Sequence, residues 1–298
     1  MSEPRIAAFA RLVNGNVAPK RIIKGQATKF GRTVHGIAYD PVHDEIIVPN
    51  PLAAAILFFR GGATGDEAPL RIIQGAKTQL SFPHAVSVDA QHNEIIVGDP
   101  GGKKVLFFPL NAQGDVAPLR VIKGSKTKLG YIVGAAVDPV SNVLVIASSS
   151  IGGASGLFMF NRTDDGDVAP RAIILGPKTN IQDAPWQVEI WQGKIFVSVA
   201  NTTYRPLYQF DKPRASEAEI RSPWNDMRQG LGFIGVWNIT DNGDVAPRAI
   251  IRGPITGLIH PTGLALNPQH GEVLATDSVR NGTFTFLVPE FFQSSEKR

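Results

Sequence analysis

The sequence predicts an all-β fold of the β-propeller class, and three observations lead to this class. A short phrase recurs five times, a similar series of apolar runs follows each copy, and convincing helical periodicity is absent outside one insertion. Hydrophobic residues make up 43% of the 298 residues, which is ample for a packed core. The 30 glycines and 22 prolines indicate many turns and short strands.

The recurring phrase reads GNVAPKRIIKG at 15–25 and GDVAPLRVIKG at 114–124. The other copies begin at residues 65, 166 and 243. Each copy runs into a Gly-x-x-Thr loop with its threonine in register. A spacing of roughly fifty residues is typical of repeat architectures in which each unit is one supersecondary element. The phrase is therefore predicted to be structural.

Each repeat supplies four predicted strands. We label them A (HGIAYD in the first repeat), B (EIIVPN), C (AILFFR) and D (the recurring phrase). Such runs, separated by Gly, Asp, Asn and Pro, are typical of short antiparallel strands. Four strands per repeat predict the blade of a β-propeller. An arginine in each D strand is predicted to be an exposed edge charge that discourages pairing between molecules. These arginines are Arg21, Arg71, Arg120, Arg171 and Arg248.

The strand tally predicts five blades in a single domain covering 1–298, with six blades as the alternative. The last repeat has A, B and C strands but no D strand. The first segment contains a D strand and an additional C-like strand, so the N-terminal strands are predicted to complete the last blade and close the ring. One insertion, at about 203–230, separates strands B and C of blade 4. Its aromatic residues and arginines suit a lid over a small ligand. The alternative is a surface loop that the fold merely tolerates.

The order of strand A, a polar turn, strand B ending in Asp, and a polar hairpin resembles the unit of NHL-repeat propellers. FPHAVSVDAQHNEIIVGDPGGKKVLFF at 82–108 carries this resemblance, which extends over nearly the whole chain. It implies a propeller fold, and it leaves function open because such propellers include both binding scaffolds and enzymes.

Three histidines are predicted to lie at one mouth of the central channel. His35 and His84 immediately precede strand A of blades 1 and 2, and His260 lies two residues further out before strand A of blade 5. The loop entering strand A and the loop leaving strand B share one face because the strands alternate in direction. The remaining histidines fall in the A–B turns on the opposite face and are predicted to be solvated turn residues. They are His43, His92 and His270.

Three imidazoles with an open position are a common ligand set for Zn²⁺ or a related divalent ion, and Ca²⁺ is the alternative if oxygen ligands dominate. Strand B of the same three blades ends in Asn50, Asp99 and Asp277. We predict that Asp99 and Asp277 accept protons during catalysis; the alternative is that both only cap the turn between strands B and C. A final group is predicted to contact the substrate. It comprises Asn50, Asn201, Trp186, Tyr208, Trp224 and Arg205.

These residues favour a metal-dependent hydrolase or lyase that acts on a small ester, lactone or phosphoester. The alternative is a non-catalytic NHL-like propeller that binds a protein, peptide or glycan. The net charge of +4 is spread over the repeats without a basic stripe, so a nucleic-acid partner is not expected. No secretory signal and no membrane-length apolar run are visible. We therefore expect a soluble protein without a membrane partner, cytoplasmic or secreted after loss of a leader, whose oligomeric state the sequence leaves open.

Overall fold

A computed structural model describes residues 3–149, 155–181, 184–200 and 232–293. Regular structure in these stretches consists of short β-strands and three-residue 3₁₀ helices. The strands form successive antiparallel sheets in chain order, which is the blade pattern of a five-blade β-propeller. The predicted fold class is therefore confirmed. No helix within the described stretches is long and apolar enough to cross a membrane.

The chain divides into two compact units, and the first contains residues 1–127 together with 164–168. Three sheets build this unit, a two-stranded N-terminal sheet and two four-stranded blades. The N-terminal sheet pairs β1 (Ile6–Ala8) with β2 (Arg21–Ile23). Blade 1 contains β3 (Ala38–Asp40), β4 (Glu45–Asn50), β5 (Ala55–Arg60) and β6 (Arg71–Gln74). Blade 2 contains β7 (Ala85–Asp89), β8 (Glu94–Asp99), β9 (Lys104–Pro109) and β10 (Arg120–Lys123).

The second unit contains residues 128–163 and 169–298. Blade 3 consists of β11 (Tyr131–Asp138), β12 (Val143–Ser149), β13 (Gly156–Asn161) and β14 (Ala172–Ile174). Blade 4 consists of β15 (Ala184–Trp191), β16 (Lys194–Ala200), β17 (Phe233–Asn238) and β18 (Ala249–Ile251). Blade 5 has three strands, β19 (Pro261–Asn267), β20 (Glu272–Asp277) and β21 (Gly282–Leu287).

The cores lie between neighbouring sheets of each unit. In the first unit, Ile47, Ile56 and Phe58 of blade 1 pack with Ile95 and Val97 of blade 2. The B and C strands are buried along nearly their whole length because both faces of each sheet are covered. Continuous apolar runs such as ILFF and VLFF follow from this double burial.

The recurring phrase forms a latch between successive sheets. In blade 2, the carboxylate of Asp115 accepts a hydrogen bond of 2.7 Å from the backbone N–H of Lys77, in the Gly-x-x-Thr loop that follows β6. Gly75 opens this loop with a φ of 135°, and a Cβ there would collide with Asp115. The same contact recurs at the equivalent positions of other repeats. The remaining Gly–Asp pairs are Gly25–Asp66, Gly124–Asp167 and Gly176–Asp244. The predicted structural role of the phrase is thus explained by its aspartate.

Replacing Gly75 with alanine should destabilise the protein by about 2 kcal/mol or more, because the substitution combines backbone strain with loss of the latch hydrogen bond. Gly65→Ala is the matched control. Gly65 also has a positive φ, of 65°, but no atom lies within 4 Å of its Cβ position, so we expect a cost of about 1 kcal/mol. Urea denaturation of both variants measures the difference. Equal costs would show that the latch does not contribute.

The N-terminal strands form a two-stranded sheet within the first unit. Strand β2 pairs with β1, and β21 pairs with β20 only, so the described sheet of blade 5 keeps three strands. Strand β1 has the register of a C strand: Ile6 pairs with Ile23 as Ile56 pairs with Ile73.

The D-strand arginines Arg71 and Arg120 differ from the prediction of exposed edge charges, whereas Arg171 and Arg248 are exposed. Arg71 binds the Glu45 carboxylate at 2.5 Å and lies over the ring of Phe58, and its side chain is only 12% exposed. Arg120 makes the equivalent pair with Glu94, at 2.7 Å. These arginines therefore tie D strands to the start of B strands.

Candidate functional site

The first unit brings two of the predicted ligand histidines into contact. His35 lies in the loop before β3 and His84 directly before β7, so neighbouring blades supply one histidine each. Their rings stack with centroids 4.1 Å apart and an interplanar angle of 17°. His84 is almost fully buried, at 3% exposure, and His35 is half-buried. Burial lowers the pKa of His35, which favours the neutral imidazole.

Backbone contacts fix the position of this histidine pair. The N–H of His84 donates to the carbonyl of Gly98, at the end of β8, over 2.9 Å. Gly36, which follows His35, has a φ of 60°, and a Cβ at this position would lie 2.8 Å from the His84 carbonyl oxygen. Only glycine allows this close approach of the two loops without strain. The stacking of His35 on His84 therefore follows from the local sequence His-Gly.

Asp99 holds the loop that leads to His84. Its carboxylate accepts hydrogen bonds from the N–H of Ser81 (2.6 Å), the hydroxyl of Ser81 (2.8 Å) and the N–H of Phe82 (3.0 Å). The side chain of Asp99 is completely buried. These bonds go to the loop before strand A and not to the B–C turn of the capping alternative, and they commit both oxygens to loop donors.

Other blades use the end of strand B in the same way. Asn50 accepts the N–H of Gly31 at 3.1 Å and donates to the carbonyl of Lys29 at 2.8 Å. In the second unit, the hydroxyl of Ser148 accepts the N–H of Gly130 at 2.9 Å. A polar residue at the end of strand B thus anchors the loop entering strand A. Asn50, predicted to contact substrate, has its side-chain amide occupied in this way.

The second unit places His260 directly before β19, with 4% exposure. One oxygen of Asp277 accepts the N–H groups of Ile259 and His260, at 2.7 and 2.6 Å. The other accepts the N–H groups of Val279 and Arg280, at 3.0 and 2.9 Å. Four donors saturate this carboxylate, so Asp277 positions the backbone of His260 in the way that Asp99 positions the approach to His84.

Trp186 contacts His260 edge to face, with ring centroids 5.9 Å apart. It lies in a bulge of β15, where the register shifts between Pro185 and Val188. Gly134 of β11 permits this bulge, because a Cβ there would collide with the carbonyl of Trp186. The sequence prediction placed Trp186 among substrate contacts, and the structure puts it beside a candidate ligand.

Glu189 is a half-buried carboxyl of β15, at a strand A position where other blades carry Ala or Ser. Burial raises its pKa to about 7, and a hydrogen bond with Gln187 acts in the opposite direction. Because the ordinary pKa is 4.5, the unfolded state loses this proton at lower pH than the folded state. The contribution of Glu189 to stability is therefore most favourable below pH 4.5 and is lost as the pH rises to about 7.

Glu189→Gln should accordingly be more stable than the parent at pH 8 and should lose this advantage at pH 5. The glutamine stays neutral at every pH and so avoids the burial of a charge. Thermal melts at both pH values measure the effect, with Glu290→Gln, at an exposed position, as the control. A parent whose stability relative to Glu189→Gln does not change between the two pH values would contradict the raised pKa.

The turn histidines have turn partners, as expected. His43 Nδ1 lies 2.5 Å from the Asp40 carboxylate, and His92 Nδ1 lies 2.8 Å from that of Asp89. His270 Nδ1 lies 3.1 Å from the Asn267 side-chain oxygen. These residues belong to the hairpins between strands A and B.

Several predicted site residues lie outside the described residues, namely Asn201, Arg205, Tyr208 and Trp224. The insertion predicted at about 203–230 lies there as well. Within the described ranges, no group of three or more His, Asp or Glu side chains has an arrangement that could hold a metal ion. The histidines that the structure does bring together there are the pair His35 and His84.

Fold and site together define a β-propeller whose loops before strand A carry buried histidines. Comparison with models of known protein families gives no match, and neither does comparison with curated protein sequences. Among solved structures, hydrazine synthase of Kuenenia stuttgartiensis is similar in fold, with a TM-score of 0.51 and 11% sequence identity. The similarity covers 82% of this chain and 55% of that one, so the chain spans about half the length of that neighbour. At this identity the likeness concerns the fold alone.

Proposed function

We propose that this protein is a metal-dependent hydrolase or lyase that acts on a small ester, lactone or phosphoester, with His35 and His84 as metal ligands. The stacked contact of these two histidines carries the proposal. They come from loops about fifty residues apart, yet their rings lie 4.1 Å from each other on one side of neighbouring blades.

The pair places two potential nitrogen ligands next to each other. Nitrogens bound at about 2.0–2.1 Å to one tetrahedral Zn²⁺ lie about 3.4 Å apart. Nearly parallel rings do not direct their in-plane nitrogen lone pairs at one ion, so binding by both histidines requires one ring to rotate out of the stacked arrangement. The lowered pKa of His35 keeps its imidazole in the neutral form that binds metal at neutral pH. The sequence analysis predicts His260 as a third ligand, and this addition stays a prediction.

A bound divalent ion would polarise the substrate oxygen and lower the pKa of its water. The carboxylates of Asp99 and Asp277 have a different role. Because their oxygens accept backbone and hydroxyl hydrogens, we assign Asp99 and Asp277 the positioning of the loops that lead to His84 and His260. This assignment replaces the predicted proton transfer by these two residues.

Equilibrium dialysis against Zn²⁺ or Co²⁺ tests the metal site directly. We expect about one ion per chain in the parent, and loss of at least tenfold in affinity for His35→Ala and for His84→Ala. His92→Ala is the matched control, because it removes a histidine from the A–B turn of the same blade as His84. Unchanged affinity in both ligand variants would overturn the proposal.

A second candidate function is a non-catalytic NHL-like propeller that presents its surface to a protein, peptide or glycan. Two observations favour it: the lack of a three-residue metal-holding group within the described ranges, and the exposure of Ile37 and Tyr39 of blade 1 at 51% and 53%. Family membership in the NHL-repeat propellers is part of the proposal and rests on the repeat motif. Absence of bound metal together with inactivity on ester, lactone and phosphotriester panels would favour this scaffold.

A further inference from the structure

Lys104, the first residue of β9, is a buried cation without a hydrogen bond among the described residues. Its side chain is only 9% exposed. The nearest carboxylate, Asp99, lies 3.9 Å from the ammonium nitrogen, which is beyond hydrogen-bonding distance. This long ion pair leaves the three N–H donors of an otherwise buried side chain open to water or to a ligand.

The repeat does not require a lysine at this position. Lys104 pairs across the sheet with the last residue of strand B, and the equivalent partners in three other blades are small. These partners are Ala55, Gly156 and Gly282. The lysine also constrains its own hairpin: a Cβ at Gly102 would lie 2.7 Å from the ammonium nitrogen. The side chain therefore lies against the Gly102 backbone.

Asp99 does not require the lysine either. Three donors from Ser81 and Phe82 already satisfy its carboxylate. The equivalent Asp277 is held by four backbone N–H groups opposite Gly282, with no lysine at the paired position. The ammonium of Lys104 thus forms a long ion pair with Asp99 and keeps three donors that the hairpin does not use.

We propose that Lys104 anchors the oxyanion group, a carboxylate or a phosphate, of a ligand at this end of blade 2. The site lies where β8 ends and β9 begins, the same end of the sheet at which His84 precedes β7. An oxyanion supplies the acceptors that the ammonium lacks, in a charge-assisted hydrogen bond. The inference does not depend on a bound metal. If the proposed hydrolase function also holds, its substrate is anionic.

Thermal melts with and without anion, at constant ionic strength and with a chelator present, test the inference. Inorganic phosphate and acetate are the two probes, and chloride is the reference salt. We expect at least one probe to raise the Tm of the parent by about 2 °C or more at millimolar concentration. The probe that acts distinguishes a phosphate site from a carboxylate site.

Lys104→Met should abolish this shift, and Lys123→Met should preserve it. Lys123 is the matched control because it pairs directly with Lys104 across β9 and β10 and is exposed. A parent without any anion-specific shift, or a shift that persists in Lys104→Met, would overturn the proposal. The parent chain allows a second measurement if Lys104→Met does not fold. The effective anion should then slow acetylation of Lys104, mapped by mass spectrometry, without slowing that of Lys123, and equal rates with and without anion would refute the site.

Discussion

Removal of residues 1–25 is expected to prevent the first unit from folding. The deletion takes away β1, β2 and the glycine of the first latch. Ile23 of β2 is 2% exposed and packs against Val48, Leu57 and Phe59 of blade 1. The deletion would expose this face of the sheet to water.

Hydrogen bonds connect the N-terminal sheet to blade 1 as well. Backbone bonds run from Lys24 N–H to the Gly65 carbonyl at 2.9 Å and from Gly65 N–H to the Ile22 carbonyl at 2.7 Å. Arg21 donates to the carbonyl of Ala63 at 3.0 Å. Each buried isoleucine contributes about 1.5–3 kcal/mol and each such hydrogen bond about 1 kcal/mol. Together these losses approach the total stability of about 5–15 kcal/mol that is usual for a domain.

Circular dichroism and thermal melting of the truncated chain measure the result. Deletion of residues 1–5 is the control, since it spares both strands and, among the residues that the structure describes, removes an exposed ion pair between Glu3 and Lys24. We expect this shorter deletion to melt within a few degrees of the parent. A chain lacking residues 1–25 that melts there too would show that the N-terminal strands are dispensable.

The repeat made the fold predictable from sequence. The alternation of apolar runs with Gly, Asp, Asn and Pro turns marks the strands, and the recurrence of GDVAP marks their order. The pairing of β1 with β2 was harder to predict, because both strands are only three residues long. Pairing of two short strands depends on three-dimensional contacts that periodicity does not specify.

The site was predictable in part. Register alone placed His35 and His84 on one side of neighbouring blades, and the structure brings them into contact. The hydrogen bonds of Asp99 and Asp277 could not be predicted, because sequence alone does not distinguish an aspartate that caps a loop from one that acts in catalysis. Lys104 could have been noticed in the sequence, because it occupies a position at which other repeats carry a small residue.

His84→Ala is expected to remove nearly all turnover of any ester, lactone or phosphotriester that the parent hydrolyses. As a ligand, His84 has no substitute of the same chemistry in its loop. Asp99→Asn should instead lower turnover about 10–100-fold, the usual cost of losing a residue that orients a ligand. Asp99 acts on the approach to His84 through Ser81 and Phe82, so its effect is indirect.

The order of the two variants should be reversed for stability, so that Asp99→Asn lowers the free energy of unfolding more than His84→Ala does. Asp99 is completely buried and accepts three hydrogen bonds, so Asp99→Asn should cost about 1–3 kcal/mol of unfolding free energy. Rate assays with and without chelator, beside urea denaturation of each variant, measure both quantities. His92→Ala is the control in the same blade, because His92 bonds only within its own turn with Asp89. If His84→Ala and His92→Ala turn over substrate equally well, His84 is a scaffold residue and the stacked histidine pair only fixes the contact between two blades.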